Sequence, residues 1–296
     1  MIELRPCESD ADFEAWRRVR IAVMPYERTD SVEELRQQTS AERLMLLAYR
    51  NGELAGSGVG GRGDTASGFA APRVLPEQRR NGVGTALLHA LAEHVEGLGF
   101  PDLGVHADDE GALAFARRFG FEEDGRQVEQ VRAVGADEPW PEAPDGITLV
   151  RVAERPGLLD RLYSELALQA FEDMPTPRRI EITPEEWEST WVTWPDATFA
   201  ALAGDEIVGM AGLLRDVDQP ERAENALTAV RRDFRGRGIA RLLKEATIAW
   251  ASDRGLREIY TWTQTGNENM RAVNERLGYV TRTVSVSLRR PLPLPA

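Results

Sequence analysis

Apolar positions in this chain recur with two periods, and the two periods alternate in the same order twice. Every second residue is apolar in Ile2-Glu3-Leu4-Arg5, the start of a half-buried strand, and Ile147-Thr148-Leu149-Val150-Arg151 repeats that opening. Residues 44–49 and 54–58 flank Asn51-Gly52, as residues 198–203 and 207–213 flank Gly204-Asp205. Each predicts strand, tight turn, strand, because such a turn needs positive φ that asparagine and glycine reach most easily. Apolar residues three and four apart at Leu87, Leu88, Leu91 and Val95, and at Leu242, Leu243, Ala246 and Trp250, then predict one amphipathic helix per half. A further strand and a helix ending at Gly120-Phe121 or Gly278-Tyr279 complete each copy.

Helix starts repeat as well. Met24-Pro25 and Met174-Pro175 each precede an acidic helix, with Ser31 or Thr183 as the expected cap and Pro184 at the first helical position. A repeat this long means duplicated domains, since solenoid units are far shorter. The length of 296 residues agrees with two domains of about 150 residues, each able to bury its own core. The proline- and acid-rich stretch 135–146 is the natural linker, which places the expected domains at residues 1–142 and 143–296.

Composition narrows the chemistry. No apolar run approaches the roughly 20 residues of a membrane span, and Glu3, Arg5, Glu8, Asp10 and Asp12 replace the apolar core of a secretion signal, so a cytoplasmic protein without a membrane partner is expected. Cys7 is the single cysteine and the three histidines lack ligand spacing, so no metal site is expected. A net charge of −13 disfavours nucleic acid and tolerates cationic or amine-bearing small molecules. Lys244 is the single lysine among the basic residues. Its place past Ala240 predicts either a cofactor phosphate or solvent beside it.

The chemistry is expected at two glycine turns. Val74-Leu75-Pro76-Glu77-Gln78-Arg79-Arg80-Asn81-Gly82-Val83-Gly84-Thr85 leads into the first helix, and Val230-Arg231-Arg232-Asp233-Phe234-Arg235-Gly236-Arg237-Gly238-Ile239-Ala240 leads into the second. Glycines without a Cβ let successive backbone N–H groups converge at a helix N-terminus, where a pyrophosphate is held. The P-loop ending Gly-Lys-Ser/Thr is absent, and Leu87 and Leu243 stand where a dinucleotide fingerprint has its third glycine.

What the turns resemble is the coenzyme A loop R/Q-x-x-G-x-G/A of the Gcn5-related N-acetyltransferase (GNAT) superfamily, filled by Arg79, Gly82, Gly84 and by Arg235, Gly238, Ala240. The resemblance spans nearly the whole chain. It implies an α/β architecture of two fused domains, each a mixed, largely antiparallel sheet splayed between its fourth and fifth strands with helices on both faces. It implies acetyl-coenzyme A as donor, a small-molecule amine as acceptor, and direct transfer in a ternary complex. The residues expected around the cofactor are those of the two turns.

The resemblance also distributes roles. The base is expected on the cofactor strand six residues before the valine, which is Glu224 in the second half and Gly68 in the first. The final helix places Asn267 against the pantetheine amides, with Asp109 at the matching first-half position, and puts Asn274 and Ala116 where the family has a tyrosine acid. Asn274 is then a hydrogen-bond donor to the leaving sulfur, and Tyr279 or water is the proton source. The second half is the expected catalyst and the first a coenzyme A binder. Trp187, Trp191 and Trp194 are expected either to pack their helix or to wall an amine site. A non-catalytic acyl-coenzyme A module and a protein N-acetyltransferase remain open at this point, as do monomer and homodimer.

Overall fold

The computed structural model describes residues 1–63, 67–175 and 179–295 as two compact units, one of Met1–Gly125 with Ser285–Ala296 and one of Arg126–Val284. In unit 1, β1 (Ile2–Pro6), β2 (Arg43–Arg50), β3 (Glu53–Arg62) and β4 (Gly68–Val74) are antiparallel neighbours in that order. Helices α1 (Asp10–Val23) and α2 (Val32–Gln37) cover one face, where Trp16, Phe13 and Leu35 pack on Met45, Leu47 and Val59. Ser9 and Ser31 close capping boxes at their starts. Helix α3 (Val83–Gly97) covers the opposite face through Leu87, Leu88, Leu91 and Val95. β5 (Asp102–Ala107) joins β4 in parallel, α4 (Glu110–Arg118) follows, and residues 286–291 of the chain's last strand lie antiparallel to β5.

Unit 2 begins inside β6 (Glu122–Ala133) and repeats the plan. After β7 (Thr148–Arg151), helix α5 (Leu158–Leu162) passes through a π-helical stretch, Tyr163–Ala167, into α6 (Leu168–Glu172). Thr183 caps α7 (Pro184–Glu186), with Pro184 at its first position. β8 (Phe199–Ala203) and β9 (Glu206–Ala211) form the hairpin, β9 continuing after Gly212 as β10 (Leu213–Arg215). The next strand is also broken, into β11 (Arg222–Asn225) and β12 (Ala229–Val230), and α8 (Ile239–Asp253) follows. β13 (Glu258–Gln264), α9 (Glu268–Arg276) and β14 (Val280–Pro291) complete the chain. Residues 127–133 of β6 pair antiparallel with β13.

An α/β architecture with helices on both faces was expected and is found, but one mixed sheet per domain holds only for unit 1: in unit 2 the strands divide between the mixed run β6–β13–β11–β10 and an antiparallel sheet in the order β12–β9–β8–β7. The boundary near residue 143 is corrected: it falls inside unit 2, because 127–133 pair with β13 and 286–291 with β5. Ladder hydrogen bonds, not the composition of the 135–146 stretch, decide which residues share a core.

Candidate active site

Each glycine turn starts where a strand ends. Arg79 returns its Nε to the Val74 carbonyl at 3.3 Å, and Arg235 does the same to Val230 at 3.0 Å. A single turn of 3-10 helix follows each strand, after Leu75 in one unit and Arg231 in the other. The chain then passes through positive φ at Arg80 (64°) and Gly82 (84°), and at Gly236 (75°) and Gly238 (79°). Arg80 therefore holds a left-handed conformation that glycine adopts freely, a strain of about 1–2 kcal/mol.

Gly82 and Gly238 are the N-caps of α3 and α8 and give no side chain to the first-turn N–H groups. Serine, threonine, aspartate or asparagine caps α1, α2, α4, α7 and α9. The N–H groups of Val83, Gly84 and Thr85, and of Ile239 and Ala240, thus stand at the positive end of a 15-residue helix without a capping side chain. A Cβ built on Gly236 or Gly238 would meet no atom within 4 Å, so the second turn faces open space. The donor set fits a pyrophosphate.

The arginines around the second turn are already engaged. Arg231 pairs with Glu206 at 2.9 Å and Asp233 at 2.7 Å, and Arg237 donates to the Asp233 carbonyl at 3.0 Å. Arg232 and Arg235 both grip Asp173, the residue after α6, and Arg232 foremost holds that carboxyl below its ordinary range. Asp173 thus occupies both of these guanidinium groups. Arg79 has Asp109 at 3.9 Å.

Both sheets splay beside their turn. β4 and β5 share two rungs, Gly68↔Leu103 and Phe69↔Gly104, while β11 and β13 share three, ending at Glu224↔Tyr260. Last rung aligned with last rung, the counterpart of Glu224 is Phe69. This corrects the assignment to Gly68, whose Cβ would point at Val95 of α3, 2.1 Å away, as Ala223 points at α8. Counting six residues back fails because the second unit breaks the strand between Asn225 and Ala229 where β4 runs on. Half-buried Glu224 alternates with Ala223 and so faces away from α8.

Asn274 and Tyr279 are placed differently from the expectation. Asn274 is wholly buried and gives its Nδ2 to Gln130 at 2.9 Å and Thr263 at 3.5 Å, so it ties β6 to β13 and offers nothing to a sulfur. Tyr279 is 2% exposed, its hydroxyl donates to Asn225 Oδ1 at 2.6 Å, and burial raises its pKa, which makes it a poorer proton source. Asn267 caps α9 through the Met270 N–H at 3.4 Å, just as Asp109 caps α4, which leaves its Nδ2 for a ligand. Packing accounts for the tryptophans: Trp187 and Trp191 lie against Phe171, and Trp194 stands edge-on to Trp250 at 4.7 Å. Burial pushes the Cys7 thiol up to about 12, so it carries no nucleophile.

The residue that sequence reasoning set aside is the most unusual. Lys244 is 1% exposed, donates to Asn225 Oδ1 at 2.9 Å, and burial alone pulls its pKa from 10.5 to about 7. It reaches neither phosphate nor solvent. The available signal was the uncharged run 246–252 after it, which marks a helix buried on most sides. Below pH 7 the folded and unfolded chains both hold the proton, and the full burial penalty stands. Between about 7 and 10.5 only the unfolded chain keeps it, so stability rises with pH by up to about 1.4 kcal/mol per unit. Lys244→Met removes that dependence: its Tm relative to wild type should be most favourable near pH 6 and lose ground toward pH 9. A constant difference over that range would place the amine in water.

The chain matches the acetyltransferase (GNAT) family over residues 13–121 and 159–279. Mycothiol acetyltransferase of Salinispora arenicola is 30% identical over 274 residues, 86% of this chain and 84% of that protein. The Nocardia farcinica protein of the same name is 32% identical over 260 residues, covering 82% and 81%. A solved tandem GNAT protein from the clavulanic acid biosynthesis pathway superposes over 100% of both chains with a TM-score of 0.80 at 19% identity. Among the described residues no helix is long and apolar enough to cross a membrane. With two matched segments carrying two glycine turns, each beside a splayed sheet, the chain belongs to the GNAT acetyltransferase family as a tandem acyltransferase.

Proposed function

We propose that unit 2 transfers an acetyl group from acetyl-coenzyme A to a primary amine of a small molecule, with Glu224 as the base. The observation that carries this reading is a carboxylate at the last rung of the β11–β13 splay, a short way along the same strand path from an uncapped helix N-terminus. Residues 235–240 hold the pyrophosphate through backbone N–H groups, with Arg231, Arg232 and Arg235 around them, and Val230 and Asn267 serve the pantetheine arm. The donor supplies an activated acetyl thioester. Glu224 takes the proton that the incoming ammonium must lose before its nitrogen can attack. The mycothiol acetyltransferase relatives favour a small acceptor over a peptide.

Unit 1 holds a second coenzyme A through Val74, Leu75, Arg79, Arg80, Gly82, Val83, Gly84 and Thr85 but carries Phe69 in place of the base. Isothermal titration of coenzyme A into wild type should show two binding events. Gly82→Glu and Gly238→Glu each set an anion against a helix N-terminus and should each remove one. Thiol release across an amine panel should disappear with Gly238→Glu and persist with Gly82→Glu. A folded wild type that binds no coenzyme A at millimolar concentration sinks the reading.

A further inference from the structure

Asn225 stands next to Glu224 at the end of β11, where the sheet opens. Its Oδ1 accepts from Lys244 Nζ at 2.9 Å and from the Tyr279 hydroxyl at 2.6 Å. When Lys244 carries its proton it has no lone pair to offer, so the atom facing it is the carbonyl oxygen, as in the observed arrangement where both Lys244 and Tyr279 donate to Oδ1. Nδ2 is thereby turned away from both partners, buried and without an acceptor. A buried donor left unmade is costly, and so is a lysine buried without a counter-charge. Unit 1 shows that the fold does not require them. At the matching positions it has Ala70, Leu88 and Phe121, all within its apolar core.

We propose that the Asn225 Nδ2–H group is the donor for the acetyl carbonyl oxygen, and that Lys244 and Tyr279 are positioning residues that fix its direction. The inference rests on the reading that the unit 2 splay takes acetyl-coenzyme A. As the amine nitrogen's lone pair forms the C–N bond, the carbonyl π pair moves onto oxygen, where Asn225 meets the developing charge. The pair then returns, the C–S bond breaks and its electrons leave on the thiolate. Glu224 takes the ammonium proton before attack and gives it up to solvent, and the second N–H proton, made acidic once the C–N bond has formed, passes by way of water to the thiolate sulfur, which leaves a neutral amide and a free thiol with one proton released.

The test is the infrared carbonyl stretch of acetyl-coenzyme A labelled with carbon-13 at the carbonyl, bound to the full chain. Wild type should show a band moved to lower frequency, and Asn225→Asp should lose it. Aspartate still accepts from Lys244 and Tyr279 but carries no N–H. Any band from unit 1 is common to both proteins and cancels in their difference. The same variant should lower kcat by about 10²-fold with KM for acetyl-coenzyme A little changed. If Asn225→Asp fails to fold, Asn225→Ala reproduces the unit 1 residue and serves instead. Identical bands in wild type and variant overturn the proposal while the proposed function stands. Absence of binding to wild type in the parallel titration overturns both.

Discussion

Glu224→Gln should lower turnover by about 10²–10⁴-fold, the usual contribution of a positioned general base. Glutamine keeps the volume and the hydrogen-bonding reach of glutamate, so the last rung of the splay and the half-buried setting of the side chain are preserved. What it cannot do is accept the proton of an alkylammonium ion. The turn at 235–240 lies on the far side of the β11–β12 break, so the coenzyme A dissociation constant should stay within about threefold, a negligible change on the affinity scale. Thiol release under saturating donor and acceptor gives the first quantity and calorimetry the second. A variant that turns over at the wild-type rate removes Glu224 from the role. Unit 1 offers no rescue, because Phe69 stands at the matching rung.

Arg282→Met should be the most destabilising surface-rim change in unit 2, at about 3–5 kcal/mol. Glu129 is fully buried and both its carboxylate oxygens accept from Arg282, which also donates to Glu258 at 3.0 Å. Methionine fills much of the volume but strands a buried carboxylate. Arg282 and Arg222 also lie over the ring of buried Tyr260, at 5.9 and 4.6 Å. The expected result is a fall of roughly 10 °C in the thermal transition that reports on unit 2, at the 2–4 °C per kcal/mol of a unit this size. Loss of this size should be partly recovered by Glu129→Gln in the Arg282→Met background, which removes the unpaired charge. A Tm within 2 °C of wild type would mean that Glu129 is not desolvated.

How far the chain could be read varies along it, and the reasons are physical. Caps at Ser31 and Thr183, the Asn51-Gly52 turn and the two glycine turns are local features, fixed by residues within one or two turns of each other, and all are found where the residues put them. The counterpart of Glu224 was misread because a strand break inserts an irregularity that sequence counting cannot see. Asn274 and Tyr279 were given roles by position in a motif, but their partners, Gln130 and Asn225, lie 144 and 54 residues away. Asp173, which occupies Arg232 and Arg235, comes from a helix some 60 residues before the turn it closes.

By itself, the sequence determined the duplication, the order of strands and helices in each copy and the two glycine turns, because periodicity, turn chemistry and capping act over a few residues. Tertiary structure alone decided which residues share a sheet, since 127–133 and 286–291 are claimed by ladders with β13 and β5 whatever the linker's composition. It alone decided what Lys244 does as well. Burial is a property of what packs around a side chain, and only the assembled unit turns a solitary lysine into a partner for Asn225, with a pKa near 7.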